Sequence, residues 1–111
     1  MGGRDYLGEF EQVVLLALVR LDGPAYGGSI HQEILEATGR DVSIPAVYVT
    51  LKRMEKKGLV ASRVAALSPG ERATRNYVVE PEGLEALDRS REMLERLWSG
   101  TDVQSATGGA G

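Results

Sequence analysis

Cysteine is missing from all 111 residues. That excludes a disulfide framework, a thiolate metal site and a cysteine nucleophile. Histidine occurs once, as His31, so no imidazole pair is available and no metal or other cofactor is expected. Long hydrophobic runs are lacking as well. The longest, Val13 to Val19, falls far short of the ~20 apolar residues that span a bilayer. The chain does not open on the basic, then apolar, then small-residue pattern of a signal peptide, and a cytoplasmic location away from any membrane is expected. Enzymatic patterns are scarce too: there is no G-x-S-x-G, no phosphate-cradling glycine loop and no clustered pair of carboxylates. An enzyme is therefore the weakest reading. The length fits one domain with a modest core.

A net charge of −3 would argue against nucleic acid if it were spread evenly. It is not. From Arg40 to Arg75 stand eight cations (Arg40, Lys52, Arg53, Lys56, Lys57, Arg63, Arg72, Arg75) against Asp41, Glu55 and Glu71, giving +5. The remainder holds five cations and thirteen acids, giving −8. A basic middle between acidic ends is a local footprint for phosphates, and local charge is what phosphates meet.

Inside that middle lies SIPAVYVTLKRMEKKGLV, Ser43 to Val60. Ser43 is a good N-cap, Pro45 suits a first helical turn, and Gly58 stands where a left-handed glycine would end the helix. Val47, Leu51 and Met54 recur at four and three residues and mark the inward face. Ala46, Val49, Thr50, Arg53 and Lys56 are placed on the opposite face, small residues first and cations last. A helix of this kind can enter a DNA major groove, its backbone close to base edges and its cations on the phosphate rims. An ordinary solvated amphipathic helix has the same outline, and the flanking segments decide between the two.

Ahead of it, a helix from about Tyr6 to Leu21 carries one stripe of Phe10, Val13, Val14, Ala17, Leu18 and Leu21. Its other side, Leu15, Leu16 and Val19, is apolar too, which points to a second subunit. Asp22-Gly23-Pro24 is a turn, and a helix follows from Tyr26 or Gly27 to Thr38 with Ile30, Ile34 and Ala37 inward and Gly39 as its stop. Helix, short turn and N-capped basic helix make a helix-turn-helix. After Gly58 the period changes to 2, Ser68-Pro69-Gly70-Glu71 turns the chain, and Thr74 to Val79 returns as a second strand. This hairpin reads as a wing whose Arg72 and Arg75 reach the adjacent minor groove or its phosphates. Pro81 to Trp98 is a last helix, apolar over about half its circumference through Leu84, Ala86, Leu87, Met93, Leu94, Leu97 and Trp98. With little core left to cover, it is expected to pack on a partner's first helix. Its charged face carries Glu85–Arg89 and Glu92–Arg96 at i,i+4, and Arg91, inside the apolar stripe, requires a carboxylate. The expected organisation is a flexible lead-in (1–5), a winged helix-turn-helix (6–80), a dimerisation helix (81–98) and a disordered tail (99–111). The fold class is α+β, mostly helical.

These segments in order resemble the PadR family of bacterial transcriptional regulators. The resemblance covers about Leu7 to Leu97 and rests on LGEFEQVVLLAL, YGGSI, AVYVTLKRMEKKGLV, RATRNYVV and PEGLEAL. Its most specific piece is the spacing of Tyr48, Leu51, Glu55, Gly58 and Leu59. It implies a winged-helix homodimer, formed through the first and last helices and usually a repressor of its own or a neighbouring gene. A small molecule releases it from the operator. The single short last helix looks like the compact branch of the family, in which a flat apolar effector lodges at the dimer interface. Two departures stand out. The family's wing carries a further basic residue and a further aromatic where this chain has Thr74 and Asn76. Glu80 replaces the threonine that caps the last helix, so fraying is expected there.

The expected DNA contacts divide accordingly. Ser43, Pro45, Ala46, Val49, Thr50 and Arg53 meet the major groove, with Arg53 as the base reader, bidentate to a guanine. Tyr26, Tyr48, Lys52, Lys56 and Lys57 hold phosphates, and Arg72 and Arg75 serve the wing. Leu15, Leu16, Val19, Leu87, Leu94, Leu97 and Trp98 form the dimer interface on a pseudo-palindromic double-stranded operator. Trp98, near its mate across the two-fold axis, is the candidate for stacking on a planar aromatic effector. The rival from another class is a winged-helix protein-interaction module with an acidic partner. Only a DNA reader shows sequence preference and half-sites about one helical turn apart.

Overall fold

The computed structural model describes residues 6–105. The lead-in expected over 1–5 and the end of the expected tail, 106–111, lie outside the described residues. The elements run α1 (Glu9–Leu21), α2 (Gly27–Thr38), α3 (Ile44–Lys56), β1 (Val60–Ala65), β2 (Thr74–Val79) and α4 (Pro81–Trp98). This is the expected α+β architecture of three helices, a hairpin and a last helix.

The first helix begins at Glu9 rather than Tyr6. Gly8 is extended, and the Glu11 carboxylate turns back to accept its N–H at 2.9 Å, which closes the helix start there. Gly39 and Gly58, both left-handed (φ 75° and 78°), end α2 and α3 as expected. Ser43 caps α3 by accepting the Ala46 N–H at 3.1 Å. Strands β1 and β2 pair antiparallel from Val60–Val79 to Ala65–Thr74. Ala25, in the turn before α2, exchanges both backbone bonds with Tyr77 and extends the sheet by one rung. The wing is thereby tied to the helices at its root.

The core is Val14, Leu15, Leu18, Ile30, Ile34, Val47, Leu51, Met54, Val60 and Tyr77. Burial raises the Tyr77 phenol above 10.0, and the nearby Glu55 carboxylate adds to the rise. Two expectations fail here. Leu15, expected at a dimer interface, is 0 % exposed. The buried stripe of α1 is Glu11, Val14, Leu15 and Leu18, spaced i, i+3, i+4, i+7, and α2, α3, β2 and α4 all pack against this helix. Ala37, expected inward, is exposed.

Helix α4 leaves the sheet at Glu80, whose N–H bonds the Leu59 carbonyl at 2.9 Å. Glu80 makes no side-chain cap, yet the helix start is held by packing. Gly83 sits so close to the Leu59 carbonyl that any Cβ would overlap it. Its buried residues are Gly83, Ala86 and Ser90, all in the first half. Beyond Ser90, only Met93 is partly covered. The expected Glu85–Arg89 and Glu92–Arg96 pairs do not form. Arg91 pairs instead with Asp88 at 2.7 Å and Glu95 at 3.9 Å, which supplies the carboxylate its position required. Past Trp98 the chain makes local turns, with Asp102 accepting from the Gln104 and Ser105 N–H groups. No helix among the described residues is long and apolar enough to cross a membrane.

Candidate nucleic-acid interface

The geometry of α3 follows from which of its residues the core takes. Val47, Thr50, Leu51 and Met54 are buried at i, i+3, i+4 and i+7. Thr50, expected in the groove, is 3 % exposed and belongs to the inward stripe. It lies at the edge of that stripe, next to Met54 around the helix, on the flank that carries Arg53 and Lys57. The outward face is Ser43, Pro45, Val49, Lys52, Arg53, Lys56 and Lys57, all exposed, with Ala46 half-buried at its edge. Val49 is 60 % exposed at the centre of this face, an apolar group suited to a thymine methyl. Ile44, at the helix start, is exposed as well.

The two flanks of α3 are fixed by different chemistry. On one, the Tyr48 ring lies over Gly27, where no Cβ would fit, and its hydroxyl accepts the Gly27 N–H at 3.1 Å. This joins α3 to the first turn of α2, so Tyr48 has a positioning contact within the chain besides any phosphate contact. Further along the same flank, Ser62 of β1 donates to Glu55 at 2.8 Å and accepts from Arg75 at 3.0 Å. Helix, first strand and second strand are thus linked through one hydroxyl, and Arg75 is set beside the C-terminal half of α3.

On the other flank stands Glu11 of α1, 7 % exposed. Its Oε2 faces Lys57 Nζ at 3.2 Å and Arg53 Nε at 3.4 Å. Burial would raise this carboxyl, but the Gly8 N–H, Lys57 and Arg53 together outweigh it and hold it below 4.5. Arg53, the expected base reader, is therefore half-committed to α1.

The wing has an interior bond set of its own. Asn76 is buried; its amide donates to the Ala65 and Thr74 carbonyls, each at 2.9 Å, and its oxygen accepts from the Thr74 hydroxyl at 2.9 Å. The residues that depart from the family pattern, Thr74 and Asn76, thus clamp the turn end of the hairpin. Sequence reasoning read them only as missing contacts. The available signal was an asparagine inside a β-branched and aromatic strand, where it is disfavoured unless it is bonded. Arg72 and Arg75 are exposed on the wing, and Tyr26 is exposed at the start of α2. The predicted DNA residues other than Thr50 are thus exposed or half-buried, on α3, at the start of α2 and on the wing.

A second feature lies between α1 and α4. A cleft of about 400 Å³ is walled by Leu16, Val19, Leu84, Leu87, Leu94 and Trp98, with the Asp88–Arg91–Glu95 ion pairs at its edge. Leu97 and Trp98 are 67 % and 60 % exposed, and Leu16, Val19 and Leu94 are also exposed, while Leu87 is partly packed on the core. His31 pairs with Asp41 at 3.2 Å. Among the described residues no group of His, Asp and Glu side chains is arranged to hold a metal ion.

Comparison with known proteins adds a family and a set of folds. The profile described as Transcriptional regulator PadR-like family matches residues 15–89. Among solved structures, a PadR family transcription regulator from Clostridium difficile R20291 is 22 % identical, covers 83 % of this chain and 96 % of its own, and superposes with a TM-score of 0.66. A PadR-like transcriptional regulator from Bacillus cereus is 21 % identical over 81 % of this chain and 84 % of its own, with a TM-score of 0.67. A padr family transcriptional regulator from Eggerthella lenta is 28 % identical over 83 % of this chain and 81 % of its own, with a TM-score of 0.65. No curated protein matches the chain.

Proposed function

Because the chain belongs to the PadR-like family of transcriptional regulators, which are DNA-binding proteins and not enzymes, we propose that it is a cytoplasmic homodimeric repressor of a pseudo-palindromic operator. The observation that carries this reading is the exposed outward face of α3 together with the wing arginine tied through Ser62 to Glu55 on the flank of that helix. In this reading α3 enters the major groove. Pro45, Ala46 and Val49 face base edges, Arg53 reaches a guanine, and Lys52, Lys56, Lys57, Tyr26 and Tyr48 meet phosphates. Arg72 and Arg75 grip the neighbouring minor groove or its backbone.

The second copy is supplied by the apolar surface that one chain leaves uncovered. The outer half of α4 leaves Leu94, Leu97 and Trp98 largely exposed, and Leu16 and Val19 offer a matching exposed strip on α1. Two-fold pairing of α4 with the partner's α1 covers the outer parts of both strips and brings the cleft between α1 and α4 to the interface. The cleft between them is of the size that takes a small ligand, and Trp98 at its wall offers a planar aromatic effector a ring to stack on. An effector there shifts the spacing of the two α3 helices and releases the operator.

The test is fluorescence anisotropy with the duplex upstream of the protein's own gene, over a range of salt, with scrambled duplex as competitor. Tight, competitor-resistant binding that weakens steeply with salt is expected. Binding that scrambled DNA matches across a wide set of sites would instead favour an acidic protein partner. A panel of planar dyes that leaves Trp98 fluorescence unchanged would remove the effector part.

A further inference from the structure

Glu11 is a charged side chain that the fold buries and that DNA contact alone does not explain. An ionised carboxylate held away from water is costly unless paired, and both of its ionic partners come from the outer flank of the groove helix. Two consequences follow. Any phosphate that approaches Arg53 and Lys57 must compete with an anion already within 3.4 Å and 3.2 Å of them. The Arg53 contact also runs through Nε, the side of the guanidinium away from the terminal Nη pair. That pair is one of the forks by which arginine reads the N7 and O6 edge of guanine, and half of the Arg53 side chain remains open to solvent. A guanidinium pinned by a carboxylate on one edge loses little freedom when the other meets a base.

We propose that Glu11 is a specificity-determining residue of the DNA interface. It withholds the Arg53 and Lys57 charges from random phosphates and presents the Arg53 fork to a base edge. This rests on the reading of α3 as the groove helix. Glu11 is a positioning residue, acting through its two cations and touching no base itself.

Random-sequence duplex of about two helical turns, ~21 bp, is the probe, with the full chain and anisotropy read over a range of salt. Glu11→Gln keeps an oxygen for the Gly8 N–H and removes the anion. It is expected to tighten binding to random duplex roughly 3–10-fold near 0.1 M salt and to steepen the log–log salt slope by ~1–2, since each recovered phosphate contact adds about 0.9. The preference for duplexes enriched from a randomised pool by the wild-type protein falls. In an Arg53→Ala/Lys57→Ala background the gain disappears, which separates it from simple loss of a repelling charge. As a measurement that leaves Glu11 intact, Lys57→Ala lowers the slope by clearly less than Lys52→Ala, whose full loss is ~0.9. If Lys52→Ala changes binding to neither duplex, α3 is not on the DNA and both readings fall. If Lys52→Ala weakens binding but Glu11→Gln changes neither affinity nor slope, or Lys57→Ala costs as much slope as Lys52→Ala, the role of Glu11 is refuted and the groove helix stands.

Discussion

Leu97 offers a clean perturbation of the proposed dimer because most of its surface is left uncovered by its own chain. It sits in the last turn of α4 with 67 % of its surface open. Burying a leucine completely is worth about 1.5–3 kcal/mol, so the two-thirds still exposed can contribute about 1–2 kcal/mol on association. Two-fold symmetry doubles this, because each substitution enters the interface twice. Leu97→Gln, which keeps length and helix propensity, is therefore expected to weaken the dimer by about 2–4 kcal/mol, or roughly 30- to 1,000-fold in its dissociation constant. Sedimentation equilibrium over a broad concentration range measures that constant. Thermal melting of the dilute, dissociated protein should be unmoved. A dimer constant unchanged within threefold would refute the placement of α4 at the interface. Loss of monomer stability would mean that Leu97 packs within its own chain.

Leu15 and Leu16 should separate sharply. Leu15→Ala opens a cavity in a closed core and costs about 2–5 kcal/mol of folding stability by denaturant titration, whereas Leu16→Ala affects the dimer constant and barely the fold. Asn76→Ala leaves the Ala65 and Thr74 carbonyls without their amide donor and should destabilise by about 1–3 kcal/mol, with faster amide exchange confined to the hairpin. Glu11 sets part of the acid limb of stability. Its folded pKa lies below 4.5, so the stability it confers is complete above the ordinary carboxylate range and is lost as pH falls through the lowered value. Glu11→Gln should accordingly flatten the stability–pH curve on the acid side, measured as Tm against pH, while an unchanged curve would sink the argument.

Much of this architecture is legible in the chain because local signals and packing agree. The residues that punctuate α2 and α3, Ser43, Pro45, Gly39 and Gly58, act through their own backbone geometry and need no tertiary context. The change of period after Gly58 announces the wing for the same reason. Thr50 and Leu15 were misplaced because a helical wheel ranks faces by hydrophobicity, while burial is decided by how many neighbours surround the helix. On α3 a polar threonine at the edge of the apolar stripe is covered because α1 packs along that flank of the helix. On α1, packed by four other elements, the buried stripe turns by one residue and takes in Glu11 as well as Leu15.

The ties that position the interface were the least legible, and they share a physical cause. Glu11 to Arg53 and Lys57, Ser62 to Glu55 and Arg75, and Tyr48 to Gly27 each join residues from separate elements. Only the folded topology brings them within 3.5 Å, so neither spacing nor periodicity records them. They nevertheless fix what the groove helix can do. Tyr48 sets its tilt on α2, Ser62 sets the wing against one flank, and Glu11 governs the cations on the other. Helix, wing and counter-charge are therefore tied together, and in the proposed reading a substitution at any of the three ties should alter DNA preference.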